Sequence, residues 1–120
     1  FGTKAKPENL TGEAQYYFNI KECGMGFHGD DERKSVIASR LGADIPLHYQ
    51  WFLNNKPIGK RVELNFGHGD LYVMSEKASG YDWLSNRKKP VLRHAAGAKK
   101  FLTIPDKKPK EGSGILKQSR

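Results

Sequence analysis

The sequence predicts a mainly β fold. Thirteen glycines and six prolines punctuate 120 residues, so no long stretch keeps a 3.6-residue helical period. Between them stand short runs rich in aromatic and β-branched residues, bounded by turn formers. One of these, residues 47–53 (LHYQWFL), alternates strictly, with Leu47, Tyr49, Trp51 and Leu53 on one face and His48, Gln50 and Phe52 on the other. Many short strands at close spacing fit an all-β sandwich or barrel.

In chain order, residues 14–20 (AQYYFNI) form the first expected strand, stopped by Gly24, Gly26 and Gly29. Residues 35–41 (SVIASRL) form the second, ended by Gly42. Residues 47–53 are the third. The stretch 54–59 (NNKPIG) is a tight turn, and 60–66 (KRVELNF) returns as its hairpin partner. Gly67-His68-Gly69-Asp70 then turns the chain into residues 71–75 (LYVMS). Residues 76–90 (EKASGYDWLSNRKKP) read as a short irregular insertion, in which Tyr81 and Trp83 call for something to pack against. Residues 91–94 and 99–104 close the pattern as two short strands around Ala95-Ala96-Gly97-Ala98. From Pro105 onward Lys, Gly, Pro and Ser dominate, which predicts a flexible basic tail. The expected organisation is one core over residues 1–104 and a tail over 105–120.

Lys and Arg number 21 against 13 Asp and Glu, a net charge of +8, of which the tail carries +3. With a pI near 9.6, that excess points to an anionic partner, nucleic acid being the first candidate. A hydrophobic share of 37% is too high for a disordered chain. No apolar run approaches the roughly 18 residues of a membrane-spanning helix, so no membrane partner is expected. The N-terminus has no signal-peptide core and Cys23 is the single cysteine, which argues against secretion on a disulfide framework. An intracellular protein, cytoplasmic or nuclear, is the expectation.

The inventory for a catalytic site is short. There is no Gly-x-Ser-x-Gly elbow, no Walker-type loop, no dinucleotide fingerprint and no Cys-rich zinc spacing. What stands out is His-x-Asp, present twice, as His28-Gly29-Asp30 and as His68-Gly69-Asp70. In an extended segment residues i and i+2 share a face, so each pair offers one imidazole and one carboxylate to a single point. A third ligand from a distant strand would complete a 2-His-1-carboxylate facial triad, the open site of non-haem iron oxygenases, and His94 is the natural donor. The plain alternative is turn chemistry, with Asp capping a backbone amide and His at the surface.

Further blocks accompany these pairs: Asn19-Ile20-Lys21-Glu22-Cys23-Gly24, Ser39-Arg40-Leu41-Gly42, Gln50-Trp51-Phe52 through Asn54-Asn55-Lys56-Pro57, His68-Gly69-Asp70-Leu71-Tyr72-Val73-Met74, Arg93-His94, and Phe101-Leu102-Thr103. In their order and approximate spacing over roughly residues 14–104, the chain resembles the AlkB-like branch of the Fe(II)- and 2-oxoglutarate-dependent dioxygenases. The resemblance implies a double-stranded β-helix, a jelly-roll or cupin-like barrel. It assigns iron to His28, Asp30 and His94, and makes Asp70 a turn residue with His68 its solvent-side neighbour. For the cosubstrate 2-oxoglutarate it implies a basic anchor after the distal histidine, at Lys99 or Lys100, and further contacts from Asn19 and Lys21. No catalytic residue beyond the metal ligands is implied.

The activity so implied is oxidation of a C–H bond with O2, which on an N-methylated base amounts to demethylation. Lys56, Lys60 and Arg61 on the hairpin and Arg87, Lys88 and Lys89 beside Trp83 could hold a nucleic-acid backbone and stack a base. The alternative for these residues is a solvated charged face with Trp83 packed inward. Few residues precede the first expected strand, too few for the N-terminal substrate lid of AlkB-like demethylases. A protein side-chain hydroxylase of the same superfamily, a metal-binding cupin-like fold without 2-oxoglutarate chemistry, and a nonenzymatic basic β-barrel that binds nucleic acid are the competing readings.

Overall fold

The computed structural model describes residues 8–105. The tail expected over residues 105–120 lies, apart from Pro105, outside the described residues. The described chain is mainly β: β1 (Gly24–His28), β2 (Val36–Ser39), β3 (Leu47–Leu53), β4 (Lys56–Leu64), β5 (Leu71–Met74), the helical turn α1 (Glu76–Ser79), β6 (Val91–Gly97) and the helical turn α2 (Lys99–Leu102). Four strands form one antiparallel sheet in the order β1-β6-β3-β4, and β2 pairs with β5 in a second. The sheets do not close into a barrel.

β3 spans the predicted residues, and both of its faces have work. Leu47 joins Ile45, Met74 and Ala96 in the core, with Val36, Tyr49 and Tyr72 packed against it, so this core draws on both sheets. On the opposite face His48, Gln50 and Phe52 are buried as well. Asn54 and Asn55 both take positive φ, 53° and 66°, the two-residue hairpin turn that asparagine tolerates best. The return strand therefore begins at Lys56, earlier than the expected 60. Pro57 is accommodated because β4 is an edge strand. A register shift opposite Gln50 is closed by its own side chain, whose amide donates to the Ile58 carbonyl at 2.8 Å.

Three expectations fail. Residues 14–20 are not a strand; Tyr16 and Phe18 are exposed at 85% and 71%. A turn takes over instead: the Asn19 carbonyl accepts from the Glu22 and Cys23 amides, and its side-chain oxygen accepts from the Lys21 amide at 2.9 Å. Local asparagine hydrogen bonding has outcompeted a ladder. The first strand comes later, through glycines read as a stop signal. At Gly24 a Cβ would lie 2.6 Å from the Ala96 carbonyl oxygen and from the Phe101 ring, so the close approach of β6 and α2 requires glycine there.

Residues 91–97 form one strand rather than a short strand and a break, since Ala95 and Ala96 pair with His48 and Leu47 of β3. Residues 99–104, expected as the last strand, hold a helical turn instead. Gly97 takes φ +107° and swings the chain out of the ladder, after which the Phe101 amide donates to the Ala98 carbonyl.

Candidate metal centre

β1 and β6 bring the centre together. His28 ends β1 and pairs in register with His94, which in turn pairs with Tyr49 of β3, so the three side chains emerge on one face of the larger sheet. Asp30 follows two residues after His28, its amide donating to the Ser79 carbonyl at 2.8 Å. Between them Gly29 is buried and tightly enclosed: an added Cβ would meet the Gly80 carbonyl oxygen at 2.3 Å and the Trp83 side chain at 2.6 Å. The insertion at 76–90 is thus the buttress of the His28-Gly29-Asp30 loop. Ser75 caps α1 by accepting from the Ala78 amide, Gly80 ends it at φ +77°, and the fully buried Ser79 hydroxyl donates to the Glu76 carbonyl at 2.9 Å.

His28, Asp30 and His94 each present a ligand atom, and the three atoms lie within 4.8 Å of one another. Nε2 of His28 is 3.4 Å from Oδ1 of Asp30, and Nε2 of His94 is 3.5 Å from its Oδ2. These separations exceed the ordinary N–H···O range of about 2.7–3.2 Å. They approach the roughly 3 Å expected between neighbouring ligands on an octahedral ion with bonds of about 2.1 Å. His28 Nδ1 lies 2.7 Å from the Gly26 carbonyl, the bond that leaves Nε2 with its lone pair toward the centre. The two imidazole rings sit 4.5 Å apart, and His94 is 7% exposed. Two neutral imidazoles and a carboxylate on one rigid face suit a divalent transition metal and leave the opposite face of the ion open.

Burial works to raise the Asp30 pKa, but the His28 and His94 side chains outweigh it and hold the carboxyl well below the usual carboxylate range. Arg33 Nη1 adds a longer contact of 3.9 Å and also pairs with Glu13. Beside the centre stands Tyr49, its ring 5.8 Å from that of His94, with burial pushing its hydroxyl pKa up.

The other expected site residues are placed differently. Lys99 and Lys100 are exposed on α2, so the strand parity that would have aimed one of them inward does not exist. Asn19 is engaged in its own turn and Lys21 is exposed in the same turn. His68 and Asp70 stay in a surface turn, Asp70 Oδ2 accepting from the Gly67 amide at 2.8 Å and His68 Nδ1 from the Gly42 amide at 2.8 Å. Trp83 is packed against Gly29 and under the Arg93 guanidinium, 5.0 Å from its ring centre, which removes it as an open stacking platform. Arg93, beside His94, faces away from the centre as strand parity requires, lying 4.2 Å over Phe52.

The sequence reading assigned no role to Tyr17, Arg40, Tyr49 or Tyr72. The signal for Arg40 was a charged residue at the inward parity of β2; the tyrosines carried none beyond their place in apolar runs.

No helix among the described residues is long and apolar enough to cross a membrane. No family model matches the chain, and no solved structure matches it. An uncharacterized protein of Acanthamoeba polyphaga mimivirus is 47% identical over 94 residues, which cover 78% of this chain and 37% of that protein. The matched part thus spans little more than a third of the viral relative's length.

Proposed function

We propose that the protein is an Fe(II)- and 2-oxoglutarate-dependent dioxygenase of the AlkB-like kind, oxidising a nucleic-acid substrate. The observation that carries the reading is the convergence of His28, Asp30 and His94 from two strands and a buttressed loop, while an identical His-Gly-Asp tripeptide elsewhere stays apart. The double-stranded β-helix is the finer fold that belongs to this reading, two sheets facing each other with the metal between them.

His28, Asp30 and His94 would hold the iron, which supplies oxidation of a substrate C–H bond coupled to decarboxylation of 2-oxoglutarate to succinate. The chain's own contribution is positional. The Gly26 carbonyl orients the His28 ring, the α1 segment fixes Asp30, and the buried face around Tyr49 and Ala96 keeps bulk water from one side. Net positive charge, with Lys56, Lys60 and Arg61 exposed along β4, favours a phosphate-bearing substrate.

Two measurements test the proposal. Anaerobic addition of Fe(II) and 2-oxoglutarate should produce a weak visible charge-transfer band; its absence from folded, iron-loaded protein defeats the reading. Succinate formation should then rise with methylated single-stranded DNA or RNA. Stimulation by peptides alone would move the assignment to a protein hydroxylase.

A further inference from the structure

Arg40 is a charged side chain that the fold has turned inward. Along β2, Val36 and Ala38 are half-buried while Ile37 and Ser39 are exposed, and Arg40 continues the inward register one step past the strand. Ala38 pairs with Tyr72. The Arg40 backbone is held on both sides, its amide donating to the Asp70 carbonyl at 3.0 Å and its carbonyl accepting from the Gly69 amide at 2.7 Å. Its Nε and Nη2 are shut off from solvent and have no hydrogen-bond partner. Among the described residues no carboxylate forms an ion pair with it.

The company around the guanidinium is phenolic. Burial pushes the Tyr17 hydroxyl pKa up and the charge of Arg40 pulls it back. Tyr17 also feels Tyr72, Tyr72 acts on Tyr49, and Tyr49 in turn feels Asp30 and lies against the His94 ring. A line of tyrosines therefore runs from Arg40 to the metal centre, and all three pack on the core shared by the two sheets. Nε and Nη2 form one edge of the guanidinium, the edge that engages a carboxylate with two parallel hydrogen bonds. Left unmet in the interior, two such donors on a permanent charge are costly.

We propose that Arg40 anchors the distal carboxylate of a small dicarboxylate whose other end meets the metal held by His28, Asp30 and His94. The identity of that ligand as 2-oxoglutarate rests on the function proposed above. The anchor does not, and it replaces the exposed Lys99 and Lys100 expected from the sequence.

The test measures binding without turnover, with Mn(II) in place of iron, comparing 2-oxoglutarate with 2-oxobutyrate, which keeps the 2-oxo acid and lacks the distal carboxylate. The natural protein should prefer 2-oxoglutarate by at least about 10-fold. Arg40→Met should erase the preference while leaving Mn(II) affinity unchanged, and Arg40→Lys, the variant to use if Arg40→Met does not fold, should retain only part of it. A preference that survives both substitutions overturns the proposal. In a metal-free arm, millimolar glutarate should raise the unfolding temperature of the natural protein and not that of the Arg40 variants. If Mn(II) does not bind at all, the metal-centre reading fails and this arm alone decides Arg40: an equal shift in protein and variants, or none in any, overturns the anchor.

Discussion

The tripeptide His-Gly-Asp occurs twice and folds into opposite fates. At His28-Gly29-Asp30 the glycine is buried, both side chains turn to a shared point, and a second histidine arrives from β6. At His68-Gly69-Asp70 the glycine takes φ +88° with open space around its α-carbon, and both side chains are spent on nearby backbone amides. Local chemistry is the same in the two places. The difference lies in what packs against them: α1 and Trp83 enclose the first, while only the loop near Gly42 meets the second. A metal-ligand motif is made by its surroundings rather than by its residues.

Substitutions that exchange the two fates sharpen this contrast. His94→Ala should have the largest effect, lowering Mn(II) affinity by about 100-fold or more, since even loss of an outer partner of a metal ligand costs about 10–100-fold. His68→Ala should leave that affinity unchanged. Titration calorimetry reads both, and equal losses would erase the distinction between the two sites.

Next comes the glycine pair. Gly29→Ala forces a Cβ into the Gly80 backbone and the Trp83 side chain, an overpacking expected to destabilise by about 3 kcal/mol. Gly69→Ala meets no atom and should lose only about 1 kcal/mol through its left-handed backbone. Urea unfolding of the two variants should separate them clearly, and a larger loss at Gly69 would contradict the buttress.

The Asp30 carboxyl supplies a pH test on metal-free protein. Its folded pKa lies below the ordinary 3.8, so its contribution to stability is present above that value and fades as pH falls below it. The stability difference between the natural protein and Asp30→Asn should accordingly be constant near neutral pH and shrink in acid below about pH 4. A difference that grows in acid would mean that the histidines beside it do not favour the carboxylate.

The smallest effect is expected at Asp70→Ala. Losing the bond to the Gly67 amide should cost about 1 kcal/mol, with no change in Mn(II) binding.

Much of this contrast was legible beforehand, and the failures have identifiable causes. β3 was readable because its alternation is strict, and the Gly67 turn because Gly and Asp need no distant partner to make it. Residues 14–20 have the composition of a strand, but strand composition needs a neighbouring edge, and the asparagine turn at Asn19 leaves the run outside both sheets. Lys99 and Lys100 were misplaced because Gly97 ejects the chain before them, an event decided by the left-handed φ at a single residue. Arg40 could be assigned to a strand, yet nothing in its neighbours announced that its guanidinium would be enclosed.

By itself the sequence determined the β character, the alternation of β3, the surface turn at Gly67 and the donor set of two imidazoles and one carboxylate. Those are properties of short segments, set by side-chain parity and local hydrogen bonding. Only the tertiary structure decided which His-Gly-Asp is enclosed, that β1 and β6 pair in the register that sets His28 against His94, and that Arg40 points inward without a counter-charge. Each of these depends on contacts between residues far apart in the chain, where burial and strand register do the choosing.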